Sequence, residues 1–136
     1  MCRAFRLVGA AIMLGSSVLA VTAARAIELT GAWATQTDLC SQVFTKKDNR
    51  VVYAEFSELF GSGFIIEGNR IRGKTGTCTI KSRKEEGHSL KRSAACASSV
   101  MTQDLRFSLK IIDDNNISRS FPEISGMSLN YTRCKL

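Results

Sequence analysis

Four cysteines spread across the last hundred residues constrain this chain more than any other feature. They are Cys40, Cys78, Cys96 and Cys134, and none of them lies in a C-x-x-C pair that would suit a redox or zinc site. A fifth, Cys2, sits in a segment with the three parts of a secretory signal. Arg3 and Arg6 make a positive start, Leu7 to Ala20 is an uncharged apolar run, and Ala24-Arg25-Ala26 places small residues where a signal peptidase cuts. The reading is therefore a signal peptide over 1–26 and one domain over 27–136, folded in an oxidising compartment where four thiols become two disulfides. The apolar run is short for a membrane span, so no transmembrane segment is expected in the mature form. Localisation is expected to be periplasmic or secreted.

Export also alters the charge. The whole chain carries +7; without Arg3, Arg6 and Arg25, 16 basic residues face 12 acidic ones, a balance of +4. That favours solubility and weak attraction to anionic surfaces, and with export it argues against nucleic acid as a partner.

The remaining pattern is of short strands separated by turn residues. Leu29 to Thr35 reads as a first strand. Thr37 and Asp38 cap one short helical turn in which Leu39, Cys40, Val43 and Phe44 face inward. Lys46 to Asn49 reads as a polar connection and Arg50 to Phe56 as a strand. Phe64-Ile65-Ile66 and Arg70-Ile71-Arg72 flank Glu67-Gly68-Asn69, a hairpin signal. Gly73 and Gly76 permit a bend into Thr77 to Arg83, and Leu90 to Ser98 returns after a charged turn at Gly87. Leu105, Phe107, Leu109 and Ile111 alternate with polar residues, as a half-buried strand requires. Ile117 to Phe121, stopped by Pro122, and Ser128 to Cys134 complete eight or nine strands in meander order. An antiparallel sheet of that size must manage its edges, and closure does so. The expected fold is all-β: a small antiparallel meander barrel with one short helical turn and two disulfides.

Four cysteines allow three pairings. A hairpin centred on Gly87 sets Cys78 opposite Cys96, Ser82 opposite Arg92 and Arg83 opposite Lys91. That register favours Cys78–Cys96 and, with it, Cys40–Cys134 joining the two ends of a closed barrel.

Gly31-Ala32-Trp33 on the first strand, followed by a meander, resembles the calycin barrels, which include the lipocalins and bacterial periplasmic protease inhibitors. The resemblance implies a tryptophan closing the barrel floor with an arginine from a late strand packed across it. The same resemblance implies Arg133 for that place, with Arg119 as second choice. Leu29 to Ala34, Cys40 to Phe44, Gly61 to Gly68 and Tyr131 to Cys134 together resemble small exported four-cysteine proteins of alphaproteobacteria. That likeness implies an exported β protein and no reaction.

Candidate sites are few. His88, the lone histidine, sits in a charged turn without an orienting partner. Gly61-Ser62-Gly63 lacks the spacing and following helix of a nucleophile elbow. Asp113-Asp114-Asn115-Asn116 reads as a hairpin turn rather than a calcium loop. Asn116-Ile117-Ser118 and Asn130-Tyr131-Thr132 match the glycosylation pattern by coincidence, since the signal looks bacterial. No metal, no cofactor and no catalytic set is expected. Lys81, Arg83, Lys84, Lys91 and Arg92 gather on one hairpin, a candidate surface for an anionic partner. The functional expectation is an exported non-enzymatic binding or inhibitor-like module for a protein or small ligand. The alternative is an envelope-associated structural or stress protein that uses the basic hairpin.

Overall fold

The computed structural model describes residues 28–136, so the signal read at 1–26 lies outside the described residues. Ten strands form: β1 (Gly31–Ala34), β2 (Phe44–Lys47), β3 (Arg50–Tyr53), β4 (Gly63–Glu67), β5 (Arg70–Arg72), β6 (Gly76–Glu86), β7 (Ser89–Ser98), β8 (Thr102–Asp113), β9 (Asn116–Ser120) and β10 (Ser128–Arg133). Eight of them close an antiparallel barrel in the order β1-β10-β9-β8-β7-β6-β5-β4. β4 to β10 run as a meander, and β1 inserts between the two free edges. Closure removes both exposed edges. The closing ladder is short: β1 meets β10 only at Trp33↔Arg133 and Ala34↔Thr132.

β2 and β3 pair with each other outside the barrel. The Lys46 to Asn49 stretch is thus the turn of a hairpin and part of its first strand, not a plain connection. Asp48 and Asn49 both take positive φ, 53° and 59°, which these short polar side chains tolerate in a two-residue hairpin turn. β3 also stops earlier than the alternation suggests. Phe56 turns to φ 56°, stands 60% exposed, and leads into a 3₁₀ turn at Ser57–Phe60. There Lys74 Nζ donates to Ser57 Oγ at 2.9 Å, holding the return path to β4.

A 3₁₀ turn at Thr37–Leu39 runs into α1 (Cys40–Val43). Thr37 and Asp38 are inside this turn rather than capping it; Gln36 precedes it without a side-chain capping bond. Cys40, Val43 and Phe44 point inward, while Leu39 is only half-buried. They join Ala32, Ala34 and Ile65 in a small core on the outer face of β1 and β4. β1 is therefore buried on both faces: its alanines lie under α1 and the β2–β3 hairpin, and Trp33 faces the barrel interior. Gly63 is where these layers touch. A Cβ there would come within 2.8 Å of the Phe44 ring and would clash with the Trp33 carbonyl oxygen.

The disulfides are Cys40–Cys134 and Cys78–Cys96, the nested pairing. The first pins α1 to the end of β10, beside the β1–β10 seam. The second spans β6 and β7, where Cys78 faces Cys96. The expected register holds at the cysteines but not nearer the turn. A β-bulge between Ile80 and Ser82 shifts it by one, so Ser82 faces Ser93, Arg83 faces Arg92 and Lys84 faces Lys91. The cause is the turn itself. Gly87 and His88 make a two-residue loop between Glu86 and Ser89, not a turn centred on Gly87. The bulge absorbs the one-residue difference before the cysteines are reached.

Candidate functional site

One end of the barrel is plugged. Trp33 is fully buried, and its Nε1 donates to the Leu29 carbonyl oxygen at 2.9 Å. The Arg133 guanidinium lies 4.5 Å from the indole ring. It donates to the carbonyl oxygens of Thr30, of Glu28 (2.6 Å) and of Asp114 (3.1 Å). One arginine thereby ties the entering segment to the β8–β9 turn while covering the tryptophan face. Gly31 makes room: a Cβ there would sit 3.3 Å from Arg133 Nη1. Arg119 does not approach Trp33. Its guanidinium lies against Phe107 and Phe121, 4.6 and 4.5 Å from their ring centres.

Beyond the plug the barrel encloses a cavity of about 440 Å³. Ile66, Ile71, Leu105, Phe107, Leu109 and Tyr131 form apolar walls, and Val100 and Met101, both exposed, stand at its mouth on the β7–β8 turn. These walls come from the inward parity of the strands; Phe107 and Leu109 are the alternating apolar residues of β8. Ser62 and Gly63 also border it, so the glycine-rich loop is part of the rim. Its Ser62 carbonyl oxygen accepts from the Thr35 backbone N–H at 3.0 Å.

Besides polar residues such as Thr75, Thr77, Ser98 and Gln103, two arginines line the cavity. Arg92 shares the inward face of β7 with Leu90, Ala94 and Cys96, and is 6% exposed. Its Nε has no hydrogen-bond partner among the described residues, and its Nη2 stands 4.0 Å from the Glu85 carboxylate. Burial, reinforced by the Arg83 guanidinium, pushes its pKa below the ordinary arginine range; Glu85 and Glu28 oppose this. Arg119 lines the same cavity from β9, and its Nε too lacks a partner.

The basic hairpin is accordingly divided. Lys81, Arg83, Lys84 and Lys91 are exposed, whereas Arg92 has turned inside and is not part of the outer face. The bulge alters the pairing, so that Lys84 rather than Arg83 faces Lys91. Lys84 meets Glu86 at 3.1 Å, and Arg83 Nη2 reaches the Gly68 carbonyl oxygen at 3.4 Å.

The other sequence candidates occupy turns. His88 is exposed, and its carbonyl oxygen accepts from the Ile111 N–H at 2.7 Å. The Asp113 carboxylate accepts from the backbone N–H of Asn115 and the amide of Asn116, bonds that hold its pKa below the usual range. It braces a hairpin turn. Among the described residues no group of three or more His, Cys, Asp or Glu side chains could hold a metal ion, and no helix is long and apolar enough to cross a membrane.

Sequence reasoning assigned Arg92 to the outer surface and considered Arg119 only as a partner for tryptophan. Parity carries the missing signal. Leu90-x-Arg92-x-Ala94-x-Cys96 and Ile117-x-Arg119-x-Phe121 each put a guanidinium in an otherwise apolar series. Comparison of the chain with protein-family models, curated proteins and solved structures finds no match.

Proposed function

We propose that this protein is a non-enzymatic binding module that takes a small, largely apolar ligand into its barrel, acting in the periplasm or outside the cell. The observation that carries the reading is the 440 Å³ cavity behind the Trp33 plug, with apolar walls and a mouth at the β7–β8 turn. Its volume falls in the range of about 300–1,000 Å³ typical of small-molecule sites. A rigid, cross-linked scaffold suits binding because little order has to be gained when the ligand enters. Two disulfides fit an oxidising compartment. The reading accords with the calycin resemblance of Gly31-Ala32-Trp33, which is supported by the position of Arg133 on the indole. The envelope-bound alternative loses support, because Arg92 leaves the basic face and Glu85 and Glu86 are interleaved with what remains.

The test is titration with a neutral, environment-sensitive apolar dye. Saturable binding at one site is expected. Leu105→Trp, which fills the cavity from β8, should abolish it while leaving the β-sheet circular dichroism intact. No saturable binding by the parent, or equal binding by a folded Leu105→Trp variant, would refute the proposal.

A further inference from the structure

We infer that the ligand is an anionic single-chain amphiphile, its carboxylate seated on Arg92 and its chain along the apolar wall. This inference rests on the cavity reading above and specifies what the cavity takes. A buried cation is costly unless paired and hydrogen-bonded. Arg92 is 94% buried by its 6% exposure, yet its Nε has no partner and Glu85 stands at the outer limit of an ion pair. Glu85 is itself half-exposed, so solvent weakens what it contributes.

Glu28 and Glu85 supply some negative charge, but neither hydrogen-bonds Arg92, and other guanidinium groups stand close by. Arg83 lies directly across from Arg92 on β6. On the other side Phe107, the β8 partner of Arg92, carries the Arg119 guanidinium against its ring. Phe121 also lies against that guanidinium, its ring centre 4.5 Å away. The Arg119 Nε is likewise without a partner among the described residues. A neutral apolar molecule would fill the space and leave both arginines unanswered. A carboxylate accepts from the guanidinium fork in a bidentate manner and neutralises it. Ile66, Ile71, Leu105 and Leu109 then cover the hydrocarbon.

Decanoate, decanol and decyltrimethylammonium share a chain and differ in head group. Each is titrated against the protein carrying the neutral dye, and displacement is read by fluorescence. Decanoate should bind ~10-fold or more tightly than decanol, the ratio that a charge-assisted hydrogen-bonded pair implies, with the ammonium weakest. Arg92→Gln should bring the decanoate-to-decanol ratio close to one. Glu85→Gln, which removes the competing carboxylate from an exposed position, should raise that ratio. If Arg92→Gln does not fold, the head-group series on the parent and on Glu85→Gln decides the matter. Equal affinity for decanoate and decanol overturns the anionic-ligand inference and leaves the cavity reading standing. Absence of saturable dye binding by the parent overturns both.

Discussion

Removing the Cys40–Cys134 bond should cost more stability than removing Cys78–Cys96, and the excess can be worked out. The bonds close loops with sequence separations of 94 and 18 residues. Loop-closure entropy then assigns about 4.7 kcal/mol to the first and about 3.2 kcal/mol to the second at 25 °C. A domain of this size has roughly 5–15 kcal/mol in hand, so either loss is severe. With an unfolding entropy near 2.1 cal/mol/K per residue over the 109 described residues, the melting temperature should fall by roughly 20 °C and roughly 14 °C. The local ladders push in the same direction. Ten residue pairs join β6 to β7, so the short bridge reinforces a hairpin that is already well held. Two pairs join β1 to β10, so the long bridge supports the thinnest seam of the barrel. Cys40→Ala/Cys134→Ala and Cys78→Ala/Cys96→Ala proteins, compared by calorimetry under oxidising conditions, give the two shifts directly. Hydrogen exchange should show β1 and β10 losing protection first in the former. A larger shift for the 78–96 variant, or a fall below about 5 °C for the 40–134 variant, would refute the closure argument.

Arg133→Lys should destabilise the fold by roughly 2 kcal/mol in urea denaturation, because an ammonium cannot lie flat on Trp33 and reach three separate carbonyl oxygens. An unchanged midpoint would show that the guanidinium is replaceable there. Tyr53 supplies an alkaline signature. Its hydroxyl reaches the carbonyl oxygens of Gly63 and Arg72, both at 3.0 Å, and burial pushes its pKa from 10.0 up to about 12, against the opposing effect of Arg72. The folded state thus holds this proton more tightly than the unfolded chain does. Its stabilising contribution is complete below pH 10 and is lost as pH rises through about 12. Tyr53→Phe should flatten that alkaline decline in chemical denaturation measured between those values; an identical slope in both proteins would count against it.

The strand pattern and the cross-links were readable because both follow local rules. Alternation of period two marks β8 at Leu105, Phe107, Leu109 and Ile111, and polar pairs such as Gly68-Asn69 mark the turns. The Cys78–Cys96 register was reached although the turn was misplaced by one residue, since the bulge between Ile80 and Ser82 offsets that difference. Phe56 misled the reading for a related reason. It continues the apolar alternation of β3, but the path from the outer hairpin back to β4 forces it into a left-handed turn.

By itself, then, the amino-acid order determined an all-β chain with its turns, its alternating faces and the residues able to form two sulfur bridges. Those features depend on contacts within a strand or across one hairpin. The tertiary structure decided that β1 fills the gap between β10 and β4, that the β2–β3 hairpin lies outside, and that a cavity remains behind Trp33. It also decided that Arg92 and Arg119 face that cavity. An inward position is common to every alternate residue of a strand; whether it meets packed side chains or open space depends on strands brought together from across the whole chain.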